Sequence, residues 1–212
     1  MSDNQPVTLV ILGASGDLTH RLLLPGLGTL LRTRPDLDVK LVGAAFEALD
    51  EAEWRKRVSE ALADGGCRVE RAEQMASETR YTQLDVTDPA AMSAFLAEVD
   101  EAGRPIVLYF ALPPAISQKA CGVLAGLDLP EGLRLAIEKP FGSSLASAQE
   151  FNKLLASVVP EDQIFRVDHY LGKATVLNLL GIRFGNRIFE PVWNANNIER
   201  VEIIADEQLA LE

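Results

Sequence analysis

Residues 7–18 read VTLVILGASGDL, and this stretch decides the fold class. The short, mainly apolar run Val7–Leu12 ends at a glycine, and leucines then recur at helical spacing over Asp17–Leu31. A strand, a glycine loop and a helix in this order are typical of the first turn of a doubly wound sheet, where backbone N–H groups and the positive helix end meet a phosphate. The spacing of Gly13 and Gly16 is Gly-x-x-Gly, which also suits a simple tight turn.

Strands and helices continue to alternate as far as residue 168. The predicted strands are Val39–Gly43, Tyr81–Asp85, Ile106–Ala111, Leu133–Glu138 and Ile164–Asp168. The predicted helices are Glu51–Ala63, Pro89–Val99 behind the N-cap Asp88, a helix from the Pro113-Pro114 pair to Leu124, and Ser144–Leu155. Several strands are apolar on both faces, which indicates a mainly parallel sheet with helices on both sides. We therefore predict an α/β fold with a Rossmann-like, doubly wound parallel sheet.

The pattern changes after residue 168. A helix near Lys173–Leu180 is followed by loop-rich sequence, and Ile198–Ala205 then alternates as a strand with no room for a crossover helix. This order predicts the beginning of an α+β domain with an antiparallel sheet. We expect a dinucleotide-binding domain over residues 1–168 and the start of a second domain, apparently truncated, over residues 169–212.

The composition of the chain excludes several classes of binding partner. The 212 residues carry a formal net charge of -11, which disfavours contact with nucleic acid and with anionic membranes. No segment has the ~18 consecutive apolar residues that a membrane span needs. Cys67 and Cys121 lack metal-ligand spacing, and the chain has 2 histidines, so no metal site is expected. These features indicate a cytoplasmic globular protein.

The residues that would contact an adenosine follow the second and third strands. In doubly wound sheets, an acid after the second strand holds the ribose 2′-hydroxyl, or an arginine there holds a 2′-phosphate. Phe46 and Glu47 stand at that point, and Asp85 with Val86 follows the third strand. Glu47 is either a ribose contact or a solvated surface acid.

Five blocks of the sequence resemble the glucose-6-phosphate dehydrogenase family. They are LGASGDL at 12–18, FALPP at 110–114, EKPFG at 138–142, RVDHYLGK at 166–173, and a series of matches over 178–194. The resemblance implies oxidation of glucose 6-phosphate at C1 to a 6-phosphogluconolactone, the first step of the pentose phosphate pathway, with hydride transfer to NADP. It also implies a homo-oligomer, a dimer or tetramer, when the protein is full length.

The resemblance also implies the site residues. Its cofactor residues are Gly13, Ala14, Ser15, Gly16, Asp17, Leu18, Phe46, Asp85, Val86 and Lys139. Lys139 would lie between cofactor and sugar, and the substrate residues are Lys139, His169, Tyr170, Lys173 and Glu207. Lys139 and Asp168 are the candidate catalytic residues, the latter as an acid that fixes the tautomer of a histidine.

The residue types support these assignments only in part. A lysine such as Lys139, after an apolar strand, stands where open α/β sheets bind ligands, although it could also be a surface lysine. A lone histidine is usually structural, but an acidic chain that places His169, Tyr170 and Lys173 together offers donors for a phosphate dianion.

Two positions depart from the family's pattern. Leu22 stands where a lysine is expected near the active centre, and Phe46 stands where an arginine for the 2′-phosphate is common. NAD is therefore possible in place of NADP. The family's base is a histidine that lies beyond this sequence, so we expect the 212 residues alone to bind ligands without turning them over.

Two other classes compete with this interpretation. A short-chain reductase shares the sheet and uses a Tyr-x-x-x-Lys pair, but Tyr170 and Lys173 are one residue too close. A non-catalytic dinucleotide-binding or regulatory module would keep the sheet without the chemistry.

Overall fold

The computed structural model describes residues 5–202 and 204, apart from the side chain of His169. This part of the chain divides into two compact units between Val167 and Asp168. None of the described helices is long and apolar enough to cross a lipid bilayer.

The first unit is built on a six-stranded sheet. Its strands are β1 (Val7–Leu12), β2 (Val39–Ala45), β3 (Arg80–Gln83), β4 (Ile106–Phe110), β5 (Arg134–Glu138) and β6 (Ile164–Val167). Its helices are α1 (Leu24–Thr33), α2 (Glu51–Asp64), α3 (Val69–Glu78), α4 (Pro89–Val99), α5 (Pro114–Leu124) and α6 (Leu145–Val158). All pairings are parallel and the order is β3-β2-β1-β4-β5-β6. This is the strand order of a Rossmann fold, so the predicted doubly wound sheet is confirmed.

Two apolar layers cover the faces of this sheet. Successive side chains of a strand point to opposite faces, so Val10 and Leu12 of β1 pack with α4, α5 and α6. Ile11 joins the layer formed with α1, α2 and α3. Both faces of β1 are therefore buried, which explains why its sequence is apolar without a strict alternation.

Some element boundaries differ from the sequence predictions. Helix α3 was not predicted, because most of its residues are charged or polar and it buries only Ala72, Met75 and Ala76. Strand β3 ends at Gln83 rather than at Asp85, because its one partner strand, β2, ends at Ala45 opposite Gln83. A π-helical turn, Thr19–Leu23, precedes α1 within the helix predicted from Asp17.

The second unit contains α7 (Ala174–Gly185) between two short turns, His169–Gly172 and Glu190–Val192. Helix α7 confirms the helix predicted near Lys173–Leu180 and extends beyond it. The strand predicted over Ile198–Ala205 is wrong for residues 198–202 and 204, which form no strand, while residues 203 and 205 lie outside the described part. A strand needs a neighbouring strand for its backbone N–H and C=O groups, and the described part of this unit offers none. The antiparallel sheet and the assignment of a second domain stay predictions.

A buried hydrogen-bonded pair joins α2 to β2. The indole N–H of Trp54 donates to the hydroxyl of Thr79 at 3.0 Å, and that hydroxyl donates to the carbonyl of Leu41 at 2.8 Å. Thr79→Val keeps the shape but leaves the indole N–H buried without its acceptor, so the free energy of unfolding should fall by about 1–2 kcal/mol. Urea unfolding measures the change. Thr33→Val at an exposed helix end is the control, and equal losses in both variants would contradict the prediction.

Candidate functional site

The candidate site lies at the carboxyl ends of the strands. From β1 the chain builds β2 and β3 on one side, and it then crosses to β4 on the other side. Helices leave β1 and β4 toward opposite faces at this point, which opens a crevice between the two strand ends. Ligands of open α/β sheets bind in such crevices.

The loop after β1 is held by its own backbone and by one side chain. The N–H groups of Gly13 and Ala14 both donate to the carbonyl of Ala44, at 2.8 and 3.1 Å. The carbonyl of Gly13 accepts from the N–H of Gly16 at 3.1 Å and from the hydroxyl of the buried Thr19 at 3.1 Å. A helix begins directly after this loop, so its positive end faces the crevice.

The two glycines of the loop have different structural roles. Gly13 has a φ of 88°, and a β-carbon there would lie 2.1 Å from the carbonyl oxygen of Ala111, which follows β4. This close approach requires glycine. Gly16 is exposed, and a β-carbon there would lie 3.2 Å from the carbonyl oxygen of Gly13. Gly16 therefore keeps the backbone of the loop accessible to a ligand, whereas Gly13 is needed for the loop to form.

A groove of about 440 Å³ opens beside this loop. It is bounded by the segments that follow β1, β2, β3 and β4. Most of the residues predicted to bind the cofactor line it: Gly13, Ser15, Gly16, Phe46, Asp85 and Val86.

The remaining predicted cofactor residues lie elsewhere. Ala14 is buried beneath the loop and Leu18 is half-buried, so neither side chain lines the groove. Asp17 lines an adjoining shallow groove and accepts from Arg21 at 2.9 Å. Lys139 is exposed at the end of β5 and is not among the lining residues of the groove.

The third wall of the groove, the segment after β3, is formed by a turn. The carboxylate of Asp85 accepts from the hydroxyl of Thr87 at 2.6 Å and from its N–H at 2.9 Å. The hydrogen bond from the Thr87 hydroxyl, and to a smaller extent the one from the Thr87 N–H, lower the pKa of Asp85. This carboxylate is therefore ionised at neutral pH. Thr87 itself lines the groove and was not predicted, although the Asp-x-Thr pattern is a signal for such a turn.

Three residues that form the fourth wall of the groove, after β4, were not predicted. Leu112, Ile116 and Lys119, in and before α5, line the groove. The FALPP block at 110–114 is the signal that could have indicated this wall, because it stands at the end of an apolar strand. If that strand lies beside β1, the residues after it face the loop that follows β1.

The strand end that carries Lys139 is supported by a neighbouring strand. The hydroxyl of Tyr109 in β4 donates to the carboxylate of Glu138 at the end of β5. Burial, and to a smaller extent the Glu138 carboxylate, raise the pKa of Tyr109 far above its usual value. The phenol therefore stays protonated and keeps its hydrogen bond to Glu138. The peptide bond between Lys139 and Pro140 is cis.

The second unit holds most of the residues predicted to bind the substrate. The carboxylate of Asp168 accepts from the N–H of Tyr170 at 3.0 Å and so caps the turn His169–Gly172. The ammonium of Lys173 lies 4.3 Å from the centre of the Tyr170 ring. Tyr170 and Lys173 are thus neighbours, while the side chain of His169 and the whole of Glu207 lie outside the described residues. The role predicted for Asp168 toward a histidine stays a prediction.

The strand order, the glycine loop and the groove at the switch point define a dinucleotide-binding domain of the Rossmann type. A sequence model of the family described as "Glucose-6-phosphate dehydrogenase, NAD binding domain" matches residues 10–178. The chain belongs to the glucose-6-phosphate dehydrogenase family, as its motifs predicted, and the matched part is the family's NAD-binding domain.

Curated relatives and solved structures agree with this assignment. The chain is 39% identical over 222 residues to glucose-6-phosphate 1-dehydrogenase of Mycolicibacterium smegmatis, covering 97% of this chain and 44% of that protein. The Treponema pallidum enzyme is 36% identical, with 98% and 43% covered. The crystal structure of the Mycobacterium avium enzyme matches with a TM-score of 0.76 at 32% identity, over 92% of this chain and 43% of that one. A glucose-6-phosphate dehydrogenase in complex with its substrate glucose-6-phosphate matches with a TM-score of 0.75 at 31% identity, with the same coverage of 92% and 43%. The chain therefore spans less than half the length of these relatives.

Proposed function

We propose that this chain is the dinucleotide-binding part of an enzyme that oxidises glucose 6-phosphate at C1 to a 6-phosphogluconolactone. The observation that carries the proposal is the groove at the switch point of the sheet, beside the loop that contains Gly13 and Gly16. Two features fit a dinucleotide: the exposed backbone at Gly16, and a groove that runs past the ends of β1, β2 and β3. Membership of the glucose-6-phosphate dehydrogenase family supports the same reaction.

The segments that follow β1, β2 and β3 have different roles toward the cofactor. A bound nicotinamide dinucleotide supplies the hydride acceptor. The loop from Gly13 to Leu18 holds its pyrophosphate with N–H groups and the helix end, and Phe46, Asp85 and Val86 contact its adenosine. The family resemblance favours NADP, whereas Phe46, in place of an arginine, admits NAD.

The substrate roles follow the family resemblance. Lys139 would hold and orient the sugar beside the cofactor, and Asp168 would position the turn that it caps. His169, Tyr170 and Lys173 would bind the phosphate, and Glu207 the sugar hydroxyls. A cytoplasmic location, which the name of an Arabidopsis thaliana relative states for that protein, and a homo-oligomeric full-length protein belong to the same proposal.

The test is turnover by the natural protein that carries this chain. Adding glucose 6-phosphate and a nicotinamide dinucleotide should produce the absorbance of the reduced nicotinamide, and glucose should be a far poorer substrate. Dinucleotide binding without oxidation of the sugar would favour the alternative, a non-catalytic dinucleotide-binding or regulatory module.

Lys173→Ala should weaken the binding of glucose 6-phosphate about tenfold or more. A charge-assisted hydrogen bond to a phosphate contributes about 1.5–3 kcal/mol, and about 1.4 kcal/mol corresponds to one factor of ten. The affinity for glucose should hardly change, because glucose has no phosphate. Titration of the natural protein with both sugars measures the difference. Lys153→Ala, which removes an exposed lysine of α6, is the control, and equal losses for both sugars in Lys173→Ala would contradict the phosphate role.

A further inference from the structure

Three hydrogen bonds fix the turn after β2, at Phe46 and Glu47. The hydroxyl of Ser15, in the phosphate loop, donates to the carboxylate of Glu47 at 2.7 Å. The hydroxyl of Tyr81 in β3 donates to the carbonyl of Glu47 at 2.6 Å, and the side-chain amide of Gln83 donates to the carbonyl of Phe46 at 3.0 Å. Both the backbone and the carboxylate of Glu47 are therefore held in place without a ligand.

The charges around this turn are unfavourable for a second phosphate. The hydrogen bond from Ser15 lowers the pKa of Glu47, so Glu47 is a carboxylate at neutral pH. Arg57 shares a shallow groove with Ser15, but its guanidinium already donates to Glu53 at 2.9 Å, and Glu60 lines the same groove. Phe46, which is 67% exposed, stands where an arginine would neutralise a 2′-phosphate.

We propose that Glu47 makes this chain select NAD over NADP, because its carboxylate accepts from the ribose hydroxyls of NAD and repels the 2′-phosphate of NADP. In doubly wound sheets the adenosine ribose lies at the end of the second strand, where Glu47 lines the groove. The exposed ring of Phe46 beside it offers an apolar face to the adenine. The inference rests on the proposed function, since it requires that the groove bind a nicotinamide dinucleotide.

Ser15 and Tyr81 act as positioning residues in this arrangement. A serine in the phosphate loop could donate to a 2′-phosphate, but the hydroxyl of Ser15 is directed to Glu47 instead. Tyr81 holds the carbonyl of Glu47, and its ring packs against the buried Trp54 with the ring centres 5.8 Å apart. The backbone of Glu47 is therefore tied to the core of the first unit.

The experiment measures dissociation constants of oxidised NAD and NADP for the 212-residue chain by isothermal titration calorimetry, with no enzymatic readout. The unmodified chain should bind NAD at least about tenfold more tightly than NADP, which corresponds to about 1.4 kcal/mol. Glu47→Gln keeps the size of the side chain and removes its charge, so NADP affinity should rise about tenfold while NAD affinity changes little. Glu131→Gln removes the same charge from an exposed position before the amino end of β5, whereas the groove lies at the carboxyl ends of the strands, so this variant should change neither constant.

A second variant tests the positioning role. Tyr81→Phe keeps the ring against Trp54 but loses the hydrogen bond to Glu47, so the ratio of NAD to NADP affinity should fall while circular dichroism shows an unchanged fold. A ratio that favours NADP in the unmodified chain, or one that Glu47→Gln leaves unchanged, overturns the inference and leaves the proposed function standing. A folded chain that binds neither nucleotide overturns the proposed function and the inference with it.

Discussion

Replacing Gly13 with alanine is expected to abolish dinucleotide binding and to lower the free energy of unfolding by about 3 kcal/mol or more, although it adds a single methyl group. That methyl group would lie 2.1 Å from the carbonyl oxygen of Ala111, well inside van der Waals contact. The φ of 88° is also one that an alanine rarely adopts. The loop must move away from β4, and it cannot move without breaking hydrogen bonds.

The hydrogen bonds at risk connect the loop to the sheet and to the following helix. The N–H of Gly13 donates to Ala44 of β2, and the carbonyl of Gly13 accepts from Gly16 and Thr19. A displaced Gly13 would therefore shift the helix start that faces the groove. Stability and binding should fall together, because the hydrogen bonds that hold the loop to the sheet also position the helix start that faces the groove.

Urea unfolding and titration with NAD measure the two effects. Gly26→Ala is the control, because Gly26 lies exposed in α1 with no atom within 4 Å of an added β-carbon. Alanine is a better helix former than glycine, so this variant should gain about 0.5–1 kcal/mol and bind NAD normally. A Gly13→Ala protein as stable as Gly26→Ala would show that the contact with Ala111 does not constrain the loop.

Local sequence patterns were sufficient for the architecture of the first unit. The apolar runs of β1 and β2 identify strands because they are buried on both faces, and the glycines after β1 mark its turn. Helix α3 was not predicted, because most of its residues are charged or polar and two of the three side chains that it buries are alanines. The strand predicted from Ile198 failed for the described residues because alternation in a sequence does not supply a partner strand.

The site was only partly predictable, because its walls depend on which strands become neighbours. Gly13 and Gly16 could be found from their place in the sequence, whereas Lys119 lines the groove only because β4 lies beside β1. The pairing of Ser15 with Glu47 joins residues 32 positions apart, and it arises because β2 also lies beside β1. Charge and spacing in the sequence placed Glu47 near a ribose but could not distinguish a contact residue from a solvated acid.

Gly16→Val is expected to separate binding from folding. A β-carbon at Gly16 would lie 3.2 Å from the carbonyl oxygen of Gly13, a contact that a shift of a few tenths of an ångström relieves, and the φ of Gly16 is not positive. The fold should therefore survive. The added methyl groups would project from an exposed point of the loop, where the pyrophosphate must approach the backbone, so the affinity for NAD should fall about 100-fold or more.

The matched control for this variant is Gly122→Val, which places the same β-branched side chain at an exposed position of α5 with no atom within 4 Å of its β-carbon. Both variants should unfold in urea within about 1 kcal/mol of the unmodified chain, since valine and glycine differ little in helix propensity at Gly122, and the single close contact at Gly16 needs only a small shift. Only Gly16→Val should lose NAD binding, measured by isothermal titration calorimetry. If both variants bind NAD equally well, the pyrophosphate does not approach the backbone at Gly16, and the groove beside this loop is not where the cofactor phosphates lie.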